Sequence, residues 1–279
     1  MFTPREQQEI DRANATEASP VVFVHGLWLL AESWQPWRDF YEQQGFVTLA
    51  PGWPDDPETV EEARAKPDVF AGKGVGQITD HVQEMIAALD RKPIVIGHSF
   101  GGMIAQKLAG RGLSLVTVAI DPAPFRGVLP MPLSMIQGAF PVLGNPLNRK
   151  RAVALSFSQY RFAFANRLPE NEAKALYEAH SVAGSGLPLF QAATANLNPG
   201  TEVSVDTHNP SRGPLLIISG EFDNIVPSSI AKASFRLYAK NPSATEIIEI
   251  EGRGHSLNVD SGWREVADTA LAFIRKFHS

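Results

Sequence analysis

Short apolar runs without polar interruption recur along this chain, and most are followed by a stretch whose apolar positions repeat every three or four residues. Val21–Val24, Phe46–Ala50, Pro93–Ile96, Leu115–Ile120, Pro214–Ser219 and Glu246–Ile250 have the length and β-branched content of strands. Runs that are apolar at successive positions, as most of these are, fit strands covered on both faces. Ile78, Val82, Met85, Ile86 and Leu89 fall on one side of a helix, as do Trp263, Val266, Ala270, Ile274 and Phe277 near the end. A further helix is expected from Ser33, as its cap, to Gln44, with Gly45 as the stop. Strands alternating with helices predict an α/β fold, a mostly parallel central sheet with helices on both faces.

The alternation breaks once, between Asp121 and about Asn209. Pro122, Pro124, Pro130 and Pro132 open this stretch, and amphipathic helical pieces follow around Phe157–Leu168, Glu170–His180 and Leu187–Leu197 with no strand signal. It is too apolar for a linker, so it predicts an inserted helical cap over the C-terminal strand ends, where open α/β sheets place their sites. The expected division is an N-terminal arm over 1–19, a core over 20–121 and 210–279, and the cap over 122–209. The arm shows no periodicity and is expected to dock loosely.

Composition narrows the function classes. A chain of 279 residues, 44% apolar and 20% charged, can bury one full core, and its net charge of −5 argues against nucleic acid and against an anionic lipid surface as partners. No cysteine is present, which excludes disulfides, thiolate metal sites and a cysteine nucleophile, and fits a cytoplasmic location. No apolar run approaches the roughly 18 residues of a membrane span, and residues 1–10 lack a signal-like apolar stretch.

The candidate chemistry begins at Gly97-His98-Ser99-Phe100-Gly101, directly after the run ending at Ile96. A G-x-S-x-G pentapeptide lets a strand turn sharply into a helix and lifts the serine hydroxyl clear of the turn. Gly102–Ala109, closed by Gly110, supplies the helix, so Ser99 is the candidate nucleophile. A serine hydroxyl needs a base, and the base needs an acid to fix its tautomer. Of seven histidines, His25 and His98 are explained by their strand-end neighbours, while His255 lies between glycine and serine after the last strand. For the acid, Asp223 follows the strand ending at Ser219, and Asp121 follows the strand ending at Ile120; Asp223 is preferred and Asp121 stays open. Backbone amides of Leu27 and Phe100 are expected to form an oxyanion hole, with Trp28 as a pocket wall. No histidine pair has the i, i+4 spacing of metal ligands, so neither metal nor other cofactor is expected.

With His25-Gly26-Leu27-Trp28, Gly97-His98-Ser99-Phe100-Gly101-Gly102, Asp223-Asn224-Ile225-Val226-Pro227 and Gly254-His255-Ser256 in this order, the chain resembles the α/β-hydrolase superfamily over about residues 20–277. It looks most like the capped, cofactor-free serine hydrolases of bacteria. That resemblance implies a small-molecule ester substrate and an acyl-enzyme route, with a lactonase, a perhydrolase or a slow-turnover ligand receptor as alternatives. The family's first hairpin is shortened or missing, and a serine nucleophile argues against the epoxide hydrolase and dehalogenase branches. An apolar pocket is expected from Phe125, Met131, Met135, Phe140, Phe157, Phe162 and Phe164.

Overall fold

Six of the apolar runs become the strands of one parallel sheet in the computed structural model, which describes residues 2–278. In chain order the first half comprises α1 (Pro4–Asn14), β1 (Pro20–Val24), α2 (Gln35–Gln43), β2 (Val47–Leu49), α3 (Val60–Ala65), α4 (Val75–Ala87), β3 (Ile94–His98), α5 (Phe100–Gly110) and β4 (Thr117–Ile120). The remainder comprises α6 (Leu133–Leu143), β5 (Ala152–Val153), α7 (Phe157–Ala163), α8 (Glu170–His180), β6 (Gly184–Ser185), α9 (Leu187–Ala193), β7 (Leu215–Gly220), α10 (Ser228–Leu237), β8 (Thr245–Ile250) and α11 (Trp263–Phe277). The sheet order is β2-β1-β3-β4-β7-β8. Its register sets Val24 beside Gly97, His98 beside Ile120, Ile120 beside Ile218 and Gly220 beside Ile250, so the loops leaving these strands emerge along one edge.

Successive strand residues bury into opposite layers, as a period of two requires. Val22, Val24, Val95, Leu215 and Ile217 join a cluster with Ile78 and Val82 of α4 and Met103 and Ile104 of α5. Val21, Phe23, Ile94, Ile96, Leu216 and Ile218 face Trp37 and Tyr41 of α2 and Val266, Ala270 and Ile274 of α11. Each Val, Ile, Leu, Phe or Met side chain among them contributes about 1.5–3 kcal/mol by leaving water. No helix among the described residues is long and apolar enough to cross a membrane.

Three local expectations need correction. The stretch expected as a loosely docked arm holds α1, which starts at a Thr3–Glu6 capping box with Pro4 in its first turn. Only Ile10 and Ala13 supply buried apolar contacts, so no periodic stripe announces this helix. Polar side chains fasten it to the outer edge of the sheet instead: Arg12 donates to Thr48 O at 2.7 Å, Arg5 to Ala50 O at 2.8 Å, and Glu9 accepts from Ala50 N at 3.0 Å. Ser33 is not a helix cap. It lies in a 3₁₀ turn over Ala31–Trp34 and donates its hydroxyl to Leu30 O, and α2 begins after it. Between β4 and β7, α6 is an unexpected helix behind the proline cluster, and Ala152–Val153 pairs with Gly184–Ser185 as a short antiparallel ladder where no strand was expected.

Candidate active site

Ser99 sits where β3 gives way to α5, with φ 56° and ψ −121°. A non-glycine residue at positive φ carries strain of about 1–3 kcal/mol and persists only when its surroundings over-determine it. Here Ser99 N donates to Ile120 O at 2.9 Å, while its carbonyl accepts from Met103 N and Ala123 N at 3.1 and 3.0 Å. The flanking glycines make the turn possible, because a Cβ on Gly97 would lie 2.1 Å from Gly101 O and one on Gly101 would lie 2.0 Å from Val24 O. The β1 loop crosses so close that a Cβ on Gly26 would meet Ser99 Cβ at 2.8 Å.

His255 is fully buried in the loop after β8, and its Nδ1 lies 2.5 Å from Asp223 Oδ2. The other Asp223 oxygen accepts from Ile225 N and Val226 N, each at 2.8 Å. Three donors therefore converge on this carboxylate. Asp121 approaches the same Nδ1 no closer than 4.0 Å, and its Oδ1 accepts from Gly220 N at 2.7 Å. Burial and the neighbouring Asp223 charge push the Asp121 carboxyl well above the ordinary aspartate range.

His98, placed among the structural residues by its neighbours, anchors the histidine loop: its Nε2 bonds His255 O at 2.8 Å, with the rings 4.6 Å apart. A carbonyl partner assigns the proton to that nitrogen. Burial, aided by the nearby His255, holds the His98 pKa well below the usual histidine value, so its ring is neutral. Phe164 meets His255 edge-on at 4.9 Å and shields it. His255 Nε2 is buried and has no hydrogen-bond partner among the described residues.

The Leu27 and Phe100 amides have no protein acceptor among the described residues. Trp28, at φ 65°, gives its indole N–H to Val153 O at 2.9 Å. A cavity of about 300 Å³ opens beside Ser99 and is walled by Trp28, Phe125, Met131, Met135 and Phe140. Phe157, Phe162 and Phe164 stay out of that wall: Phe157 meets Tyr177 edge to face and Phe164 stacks on Tyr160, while the Phe162 carbonyl accepts from Asn224.

Residues 21–269 match the Alpha/beta hydrolase family. The chain belongs to that family. Among curated protein sequences none is significantly similar to it. Among solved structures it is similar to a monoacylglycerol lipase of Paleococcus ferrophilus, with 20% identity over 92% of this chain and 94% of that one, at a TM-score of 0.62. It is also similar to a thermophilic esterase from Thermogutta terrifontis, with 18% identity over 94% and 91% of the two chains and a TM-score of 0.61. A pyrethroid hydrolase from Sphingobium faniae JZ-2 shares 17% identity over 92% and 97%, at a TM-score of 0.58.

Within this α/β-hydrolase, His98, Asp121 and His255 bring ligand-type atoms within 4.8 Å of one another. The raised pKa of the Asp121 carboxyl disfavours the ionised form that a cation would need as a ligand there. A second cavity, about 320 Å³, lies against α1 and the loop over 52–58, where Arg5, Glu58, Glu6 and His81 pair with one another or with Glu9. It contains none of Ser99, Asp223 and His255. His25 stacks on Trp53 at 5.3 Å and lies 3.2 Å from Asp56, which braces the loop carrying Gly26 and Leu27.

Proposed function

We propose that this α/β-hydrolase cleaves small to medium apolar carboxylic esters through an acyl-enzyme, with Ser99 as nucleophile, His255 as base and then acid, and Asp223 as the residue that orients it. The observation that carries the reading is the buried Asp223–His255 pair at 2.5 Å beside a strained serine that opens onto an apolar cavity. The names of two relatives of this fold, a lipase and an esterase, support it.

Substrate binding brings Ser99 Oγ to His255 Nε2, a contact often long in unliganded enzymes. Oγ attacks the carbonyl carbon as its proton passes to Nε2, and the Asp223 carboxylate stabilises the imidazolium at Nδ1. Charge gathers on the carbonyl oxygen, where the Leu27 and Phe100 N–H groups receive it; one such donor is worth about 2.7–4 kcal/mol. Collapse breaks the ester C–O bond, His255 returns the proton to the leaving alcohol, and a water molecule repeats the cycle on the acyl-serine.

A panel of p-nitrophenyl esters of rising acyl length, run beside lactones, tests the reading, together with an organophosphonate that labels activated serines. Turnover of the esters and a single stoichiometric adduct on Ser99 are expected. Labelling at another residue, or no turnover of any ester, overturns it.

A further inference from the structure

Asp121 and Asp223 reach the same histidine nitrogen from neighbouring strand ends, and two carboxylates so placed cannot both hold a charge. Their surroundings are unequal. Asp223 has a backbone N–H pair on one oxygen and His255 on the other. Asp121 has a single donor on Oδ1, from Gly220 N, and its buried Oδ2 has no donor among the described residues. The other groups facing it are His98 and His255, together with Asp260 from the turn after His255, whose own carboxylate is engaged by Arg253 and Ser256. None of these offers Asp121 a hydrogen.

Resting on the proposed Asp223–His255 pair, we infer that Asp121 is a positioning residue that stays protonated at neutral pH and donates its Oδ2 hydrogen to the Asp223 carboxylate. The pair then carries one negative charge and one proton. Asp223 keeps the charge that His255 requires, and the added donor fixes the rotamer in which Oδ2 faces Nδ1. Strain agrees with a built position, since Asp121 is held at φ 42° with its amide bonded to Ile218 O at 2.8 Å. Burial and the neighbouring negative charge both raise its pKa, which is the direction the arrangement demands.

Infrared difference spectroscopy of the full chain reads this proton without any turnover. A protonated-carboxyl C=O band is expected in the parent at pH 7 and should be lost in Asp121→Asn. If Asp121→Asn does not fold, Asp260→Asn replaces it and should keep the band. No band in the parent, a band that survives Asp121→Asn, or one lost in Asp260→Asn overturns the inference. On ester turnover, Asp121→Ala should lower kcat by about ten- to a hundredfold, the scale of one hydrogen bond to a charged group, and Asp121→Asn, which keeps a donor, should restore most of it. The acid limb of kcat/KM should move by less than about half a pH unit in Asp121→Asn, because no charge is removed. A downward shift of a unit or more would mean that Asp121 is ionised. Should the parent hydrolyse no ester, the proposed function fails while the infrared result still decides the protonation.

Discussion

Two helices of eleven residues border the same cavity, and they are built to opposite rules. Every residue of α5 is buried, from Phe100 beside Ser99 to Gly110. On α6 only Gly138, Ala139 and Val142 are, while Leu133 is 85% exposed and Phe140 66%. A helix closed in on all sides cannot shift without moving the sheet, so α5 holds Ser99 to a fixed geometry. A helix that presents apolar side chains to solvent has few contacts to lose, and its sequence can change the cavity wall without touching the chemistry. Under the proposed function, reaction and selectivity would fall to separate parts of the fold.

The sharpest break of that contrast is Ser99→Ala. It should remove on the order of 10⁶ in kcat while leaving the circular dichroism spectrum intact, because the lost hydroxyl points out of the turn. Activity within tenfold of the parent would sink the assignment. Asp223→Asn should come next, at about 10⁴ in kcat through the wrong histidine tautomer. A loss of less than tenfold would remove Asp223 from its proposed place.

Stability should divide along the same line. Gly101→Ala drives a Cβ to 2.0 Å from Val24 O, a backbone atom with nowhere to go, so urea unfolding should show about 4 kcal/mol lost or no folded protein. Gly138→Ala on α6 meets only the tip of Ile225 at 2.6 Å and should cost about 1–3 kcal/mol. Equal losses would mean that α6 is as tightly held as α5.

Acidity should also act on one side alone, since α6 carries no titratable side chain. His98 has a folded pKa below its unfolded value of about 6.5, so the unfolded chain binds more protons once the pH drops past that point. The stability tied to neutral His98 is complete above about pH 6.5 and is lost as pH falls toward the folded pKa, by up to about 1.4 kcal/mol per unit. Asp121 has the reverse sign. Its folded pKa is raised, so its contribution is complete below the unfolded value of about 3.9 and declines as pH rises through the window above it. Asp121→Asn should therefore gain on the parent between pH 4 and 7 in thermal melts, and a constant difference would contradict the raised pKa.

The strands were legible in the sequence because burial on both faces writes an unbroken apolar run, as at Val21–Val24. The same logic hid α1, whose hold on the sheet edge is made by Arg5, Glu9 and Arg12 rather than by an apolar stripe. Prolines before α6, and Pro141 within it, masked a helix whose backbone tolerates them. At the site, the pentapeptide around Ser99 is local and could be read directly. Which aspartate meets His255 is not local: it depends on the register of β4, β7 and β8 across more than a hundred residues. Nor does any sequence pattern mark His98 as the donor to His255 O, because that bond joins the end of β3 to a loop 157 residues further along the chain.

The smallest expected effect is the one that tests α6 as a selectivity wall. Phe140 lines the cavity yet stays two-thirds exposed, so a bound acyl chain would cover only part of the ring. Phe140→Ala should raise KM for a long-chain p-nitrophenyl ester about fivefold, equivalent to roughly 1 kcal/mol of lost apolar contact, and leave KM for the acetate ester and both kcat values near the parent. Leu133→Ser, more exposed and outside the cavity wall, should change neither constant and should shift stability by less than about 0.5 kcal/mol. If Phe140→Ala instead lowered kcat for every ester alike, α6 would be positioning the reacting atoms, and the division between the two helices would fall.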